Sequence, residues 1–234
     1  YRQSSKFTPE LLHRDPENRL LARGPRFRVD AEVVRDAALY VSGLLRERQG
    51  GHSVKPYEPG GLWEAVSFNN SQKYVQDTGE GNYRRSLYTF WKRQSPPPNM
   101  MILDAPTREY CVVRRPRTNT PLQALALLND PQFVEASRAF AQRILLEGGD
   151  TVESRIAWAF RIATARKPVA DEVYVLRQVL EQQIADFQKN KEAAEQFLKI
   201  GAFQAKENLD RSELAAWTTL ASMLLNLDET VTKS

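Results

Sequence analysis

Asp130-Pro131-Gln132-Phe133-Val134-Glu135-Ala136-Ser137-Arg138-Ala139-Phe140-Ala141-Gln142-Arg143-Ile144-Leu145-Leu146-Glu147 decides the fold class of this 234-residue chain. Phe133, Ser137, Phe140 and Ile144 recur at helical spacing, with Val134, Ala141 and Leu145 widening the same face. Asp130 is a capping residue, and Pro131 follows where a missing N–H costs nothing. Gly148-Gly149 then stops the helix.

The same grammar runs outward in both directions. Thr8-Pro9, Asp15-Pro16 and Thr120-Pro121 repeat the cap-proline start, and Thr120 with Gln123, like Asp210 with Glu213, has capping-box spacing. Thr151 opens a run carrying Val152, Ile156, Phe160 and Ala163. The next helix aligns Val173, Leu176, Leu180, Ile184 and Phe187, and a last one carries Leu214, Trp217, Ala221 and Leu224. Upstream, Ala31, Val34, Ala38, Val41 and Leu45 predict a helix from Asp30 to Arg48, ended by Gly50-Gly51. Between Gly50 and Gly81, prolines and glycines break the periodicity, leaving a long structured loop with a short helix near Leu62 to Val66. Arg84 to Arg93 reads as helical, with Leu87, Phe90 and Trp91 packed, before Pro96-Pro97-Pro98 forces an extended segment. Cys111-Val112-Val113 is the best β candidate. The expectation is an all-α fold, an irregular multi-helix array with long loops: one helical domain over residues 1–234, a piece of a longer chain, divisible into a loop-rich N-terminal region, residues 1–118, and a helical array, residues 119–234.

Composition narrows the function classes. Thirty-three basic and 29 acidic residues are interspersed, giving a net charge of +4 and no basic tail, which argues against nucleic acid. The basic-aromatic run from Tyr83 to Arg93 superficially suggests base stacking, but on a helix its aromatics would face the core. Nothing approaches the length of an apolar membrane span. Nucleophile-elbow, phosphate-loop and zinc-type Cys/His patterns are absent, and two histidines (His13, His52) with one cysteine point to no metal site.

The densest polar constellation runs from Asp104 to Asp130. There Asp104, Arg108, Glu109, Arg114, Arg115, Arg117 and Asn119 alternate with Pro106, Cys111, Val112 and Val113. Three readings stand: a partly buried ion-pair network; a pocket in which Arg108, Arg114, Arg115, Arg117 and Asn119 hold a carboxylate, sulfate or phosphate near the helix opened by Thr120; and acid/base chemistry by Asp104 or Glu109.

Tyr1-Arg2-Gln3-Ser4-Ser5, Asp15-Pro16-Glu17-Asn18-Arg19-Leu20-Leu21-Ala22-Arg23-Gly24-Pro25-Arg26, Arg84-Arg85-Ser86-Leu87-Tyr88-Thr89-Phe90-Trp91-Lys92-Arg93, Arg117-Thr118-Asn119-Thr120-Pro121-Leu122-Gln123-Ala124-Leu125 and Leu225-Asn226-Leu227-Asp228-Glu229-Thr230 together resemble an uncharacterised planctomycete family. In it a cytochrome-c-like segment is often followed by two domains of unknown function, and this chain resembles the second, the PSD-type C-terminal one. The resemblance implies an exported, periplasmic or cell-surface multidomain protein whose haem, if any, sits elsewhere in the parent chain; no Cys-x-x-Cys-His occurs here, and no cofactor is expected in this piece. Expected partners are the other domains of the parent chain and a glycan. The leading functional expectation is a non-catalytic interaction or scaffold domain. The alternative is an enzyme or binding domain acting on a sulfated or carboxylated carbohydrate through the arginine-rich segment.

Overall fold

A computed structural model describes residues 3–233, so Tyr1 and Arg2 of the first quoted motif lie outside the described residues. The chain is predominantly helical. In order come α1 (Pro9–Arg14), β1 (Phe27–Arg28), α2 (Ala31–Ser42), α3 (Leu62–Ala65), α4 (Pro98–Ile102), α5 (Pro121–Asn129), α6 (Pro131–Glu147), α7 (Val152–Thr164), α8 (Ala170–Lys189), α9 (Lys191–Phe197), α10 (Arg211–Leu225), α11 (Asp228–Val231) and β2 (Thr232–Lys233).

Helices α6 and α10 form the centre and pack most extensively on each other, with α2 against α6, α8 against α10 and α7 closing the side. Phe133, Phe140 and Ile144 of α6 and Leu214, Trp217, Leu220 and Leu224 of α10 are buried in one continuous core. Each such side chain contributes roughly 1.5–3 kcal/mol of burial. Thr120 and Gln123 exchange the capping-box bonds at 3.4 and 3.5 Å, Asp130 accepts from the Gln132 amide, and Asp210 accepts from the Glu213 amide at 2.8 Å without the returning Glu213 bond that the capping-box spacing predicted. The only two-residue ladder among the described residues joins β1 to β2 antiparallel, pairing Phe27 with Lys233. It fastens the N-terminal region of the chain beside its C-terminal end.

Four local expectations are corrected. Helix α2 stops at Ser42 rather than Arg48, because Gly43 takes a left-handed φ of 78° and the Leu44 amide returns to the Leu39 carbonyl at 2.9 Å. Asp15-Pro16 opens a turn, not a helix: the Asp15 carboxylate accepts the Arg19 and Leu20 amides at 2.7 and 2.8 Å. Arg84 to Arg93 holds only a 3-10 turn over Ser86–Tyr88, with Leu87 exposed. Its backbone is taken by other partners, since the Ser86 amide donates to Asp36 at 2.7 Å and the Arg84 carbonyl accepts from Arg35 at 2.8 Å. Cys111-Val112-Val113 is exposed and forms no strand.

Three buried arginines tie the loops to the helices. Arg35 on α2 donates to Gln132 (2.6 Å), to the carbonyls of Arg84 and Asn82 (2.8 Å each) and to Ser86 (3.1 Å). Arg84 holds the segment after α2 through the carbonyls of Arg48, Gly50 and His52, and its guanidinium lies 3.8 Å over the Tyr88 ring. Arg138 on α6 donates to the carbonyls of Leu198, Ile200 and Phe203 at 2.6 Å each. A planar fork with five donors suits clusters of carbonyls that bulk solvent cannot reach.

Candidate functional site

The segment read as the chemical centre wraps around the start of α5. Asp104, itself at φ 66°, accepts the Thr118 amide at 2.6 Å, the Thr118 hydroxyl at 2.9 Å and the Gln123 side-chain amide at 3.1 Å. Its oxygens are thus engaged in fixing the entry to α5. Asn119 accepts from Arg28 at 3.1 Å, joining this entry to β1.

The arginines point to separate places. Arg115 reaches α2, meeting Glu32 at 2.7 Å and the capping residue Asp30 at 3.8 Å, and the Glu32 hydrogen bond holds its pKa above the ordinary value. Arg117 lies 4.4 Å over the Phe27 ring, while Arg108, at φ 65°, lies 4.4 Å over Trp91, whose Nε1 donates to the Thr107 carbonyl. Arg114 is exposed, and among the described residues Arg108, Arg114 and Arg117 have no carboxylate at ion-pair distance. Glu109 is exposed and borders two open depressions. One, of about 540 Å³, is shared with Lys92, Arg93 and Gln94; the other, of about 450 Å³, with Arg108, Tyr110, Cys111 and Arg115.

Where Arg28, Asp30, Asp104, Arg117 and Gln123 do converge, the cavity is only about 10 Å³. That is room for a water at most. The five pocket residues therefore do not share one cleft, and of the arginines only Arg115 is in an ion pair. Urea unfolding separates the roles: Asp104→Ala should cost about 1–3 kcal/mol by stranding the Thr118 and Gln123 donors. Arg117→Ala should cost at most about 1 kcal/mol, the worth of an exposed cation–π contact.

Sequence reasoning missed two exposed apolar features. On α5, Gln123 and Leu127 face inward while Leu122 and Leu125, each 55% exposed, and Leu128 form an outward stripe. A helix apolar on nearly every side is ordinarily buried. The composition of α5 was the available signal. The second feature is the turn after α1, where Leu20 and Leu21 are 78% and 70% exposed.

Fold and site define a predominantly helical domain whose loops are secured by buried arginines and whose conspicuous surface features are apolar. The family model described as PSD1, protein of unknown function (DUF1553), matches residues 1–180, and the chain belongs to that family. No curated protein and no solved structure matches it. No helix among the described residues is long and apolar enough to cross a membrane.

Proposed function

We propose that this is a non-catalytic interaction domain of an exported multidomain protein, which docks on another domain of its parent chain through the α5 stripe. The observation that carries the reading is that Leu122, Leu125 and Leu128 stand in solvent on a helix whose start is fixed by a capping box and by Asp104. A rigid helix with apolar anchors three residues apart matches the helix-in-groove mode of recognition. The buried arginines support the same reading, since their guanidinium NH groups are directed at the domain's own carbonyls and side chains in the interior rather than at an open cleft.

The test expresses the remainder of the parent polypeptide as a separate chain and measures its binding to this domain by calorimetry. Saturable binding that Leu125→Asp weakens at least about tenfold is expected, because a carboxylate replaces a buried apolar anchor. Turnover of any member of a glycan and ester panel, lost in Arg108→Ala or Glu109→Gln, overturns it. One observation favours a second reading, recognition of an anionic carbohydrate. Arg108 has no ion-pair partner beside Tyr110 in an open depression, and a sulfated sugar that raises the melting temperature of wild type but not of Arg108→Ala would support that reading.

A further inference from the structure

The turn after α1 is densely hydrogen-bonded for a surface loop. Arg23 donates to the carbonyls of Asp15 and Pro16 at 2.7 Å each and stacks 4.7 Å over Phe7; Asn18 and Arg23 exchange two further bonds, one of 2.8 Å from Asn18 Nδ2. Asp15 and Arg23 are buried. What this polar frame displays is Leu20 and Leu21, with Leu21 held at φ 54°. A non-glycine residue in that region is strained, and the surrounding bonds maintain the strain. Two adjacent leucines fixed in solvent at such a cost fit insertion into an apolar recess.

The chain carries such a recess. A groove of about 540 Å³ between α7, α8, α10 and α11 has a floor of Phe160, Val175, Leu176, Met223 and Leu227. Its rim bears Arg26 and Arg166 against Asp171, Glu172, Asp228 and Glu229, a net of two negative charges. Both rim arginines are already engaged: Arg166 meets Glu172 at 2.6 Å and Glu229 at 2.8 Å, and Arg26 meets Asp228. The Arg166 hydrogen bond holds the Glu172 carboxyl down at about 2, so that rim group is ionised at neutral pH. Asp171 has no ion-pair partner among the described residues, and neither does the Arg19 guanidinium that precedes the two leucines.

Loop and groove are close in one copy. Arg26 on the rim is five positions after Leu21, a reach of at most about 18 Å. A two-fold axis beside them would carry each loop to the other copy's groove, a self-complementary arrangement that closes.

We infer that two copies of this chain associate by reciprocal exchange of the Leu20-Leu21 loop into the Phe160/Val175/Met223 groove, with Arg19 of each copy meeting Asp171 of the other. This surface is separate from the α5 stripe, and its failure would leave the parent-chain reading intact.

Sedimentation equilibrium over a concentration series tests it. Wild type shows a monomer–dimer equilibrium. Arg19→Asp and Asp171→Arg each weaken it at least about tenfold by placing like charges in contact, while both substitutions in one chain restore it. The two single variants, monomeric apart, associate when mixed, since every loop then meets an opposite charge. Leu20→Asp, at an exposed position that folding does not use, also gives a monomer, and Leu125→Asp leaves the dimer unchanged. A wild type monomeric throughout the series, a dimer indifferent to Arg19→Asp and Leu20→Asp, or charge-swapped variants that fail to pair overturns the proposal.

Discussion

Replacing Arg35 with alanine should lower stability by about 3–5 kcal/mol, read as a fall in the urea midpoint at unchanged slope. The side chain is 1% exposed, and its fork serves four acceptors on two distant stretches of chain: the carbonyls of Asn82 and Arg84 with the Ser86 hydroxyl, and the Gln132 side chain. Deleting it leaves buried acceptors without donors, at about 1–3 kcal/mol each when solvent cannot reach them. Burial disfavours the guanidinium charge enough to bring its pKa down to about 10, opposed by nearby Asp36 and Asp130, so the group still carries its proton at neutral pH. Arg35→Lys keeps a charge but not the fork. Most of the loss should therefore remain in that variant; full recovery by lysine would show that charge, not hydrogen-bond geometry, is what the site requires.

Arg35 also shows which features of this fold the sequence discloses. The cap-proline starts of α5 and α6, the Thr151 and Asp210 caps of α7 and α10, and the periodic faces of α6, α7, α8 and α10 are local features, and local features are what a linear reading resolves. Arg35 sits four residues after Ala31 and three before Ala38, on the apolar face, so its burial could be suspected from α2 alone; its partners, 47 to 97 residues away, could not. The segment Arg84 to Arg93 fails as a helix for that reason. Its aromatic spacing is helical, but Asp36 and Arg35 capture the backbone from another element. The end of α2 was obscured differently, because the doubled Gly50-Gly51 is a louder stop than the single Gly43 that takes the left-handed turn. In the polar segment, residue types were legible and direction was not: Asp104 turns to α5, Arg115 to α2, Arg117 to β1 and Arg108 to Trp91.

Arg138→Leu should cost a similar amount, about 3–5 kcal/mol, and should also release one segment preferentially. Leucine fills some of the space, but the carbonyls of Leu198, Ile200 and Phe203, which a single guanidinium gathers after α9, lose their donor. Beside it the fully buried Glu135 accepts from the Tyr83 hydroxyl at 2.9 Å and from the Phe203 amide. Burial, then Glu135, raises the Tyr57 hydroxyl to about 12, so it keeps its proton beside that carboxylate. Arg138 and Glu135 also interact electrostatically and share Phe203 as a backbone partner, so substituting both residues, Arg138→Leu with Glu135→Gln, should cost less than the sum of the two separate losses. The backbone leaves no slack to compensate: Gly201 passes at φ 85° with its missing Cβ only 2.8 Å from the Glu135 Cβ, so the turn cannot settle closer to α6. Hydrogen exchange provides the local readout. In Arg138→Leu the Phe203 amide should lose protection by a larger factor than amides in α10, whereas equal loss throughout would mean that the latch and the core open together.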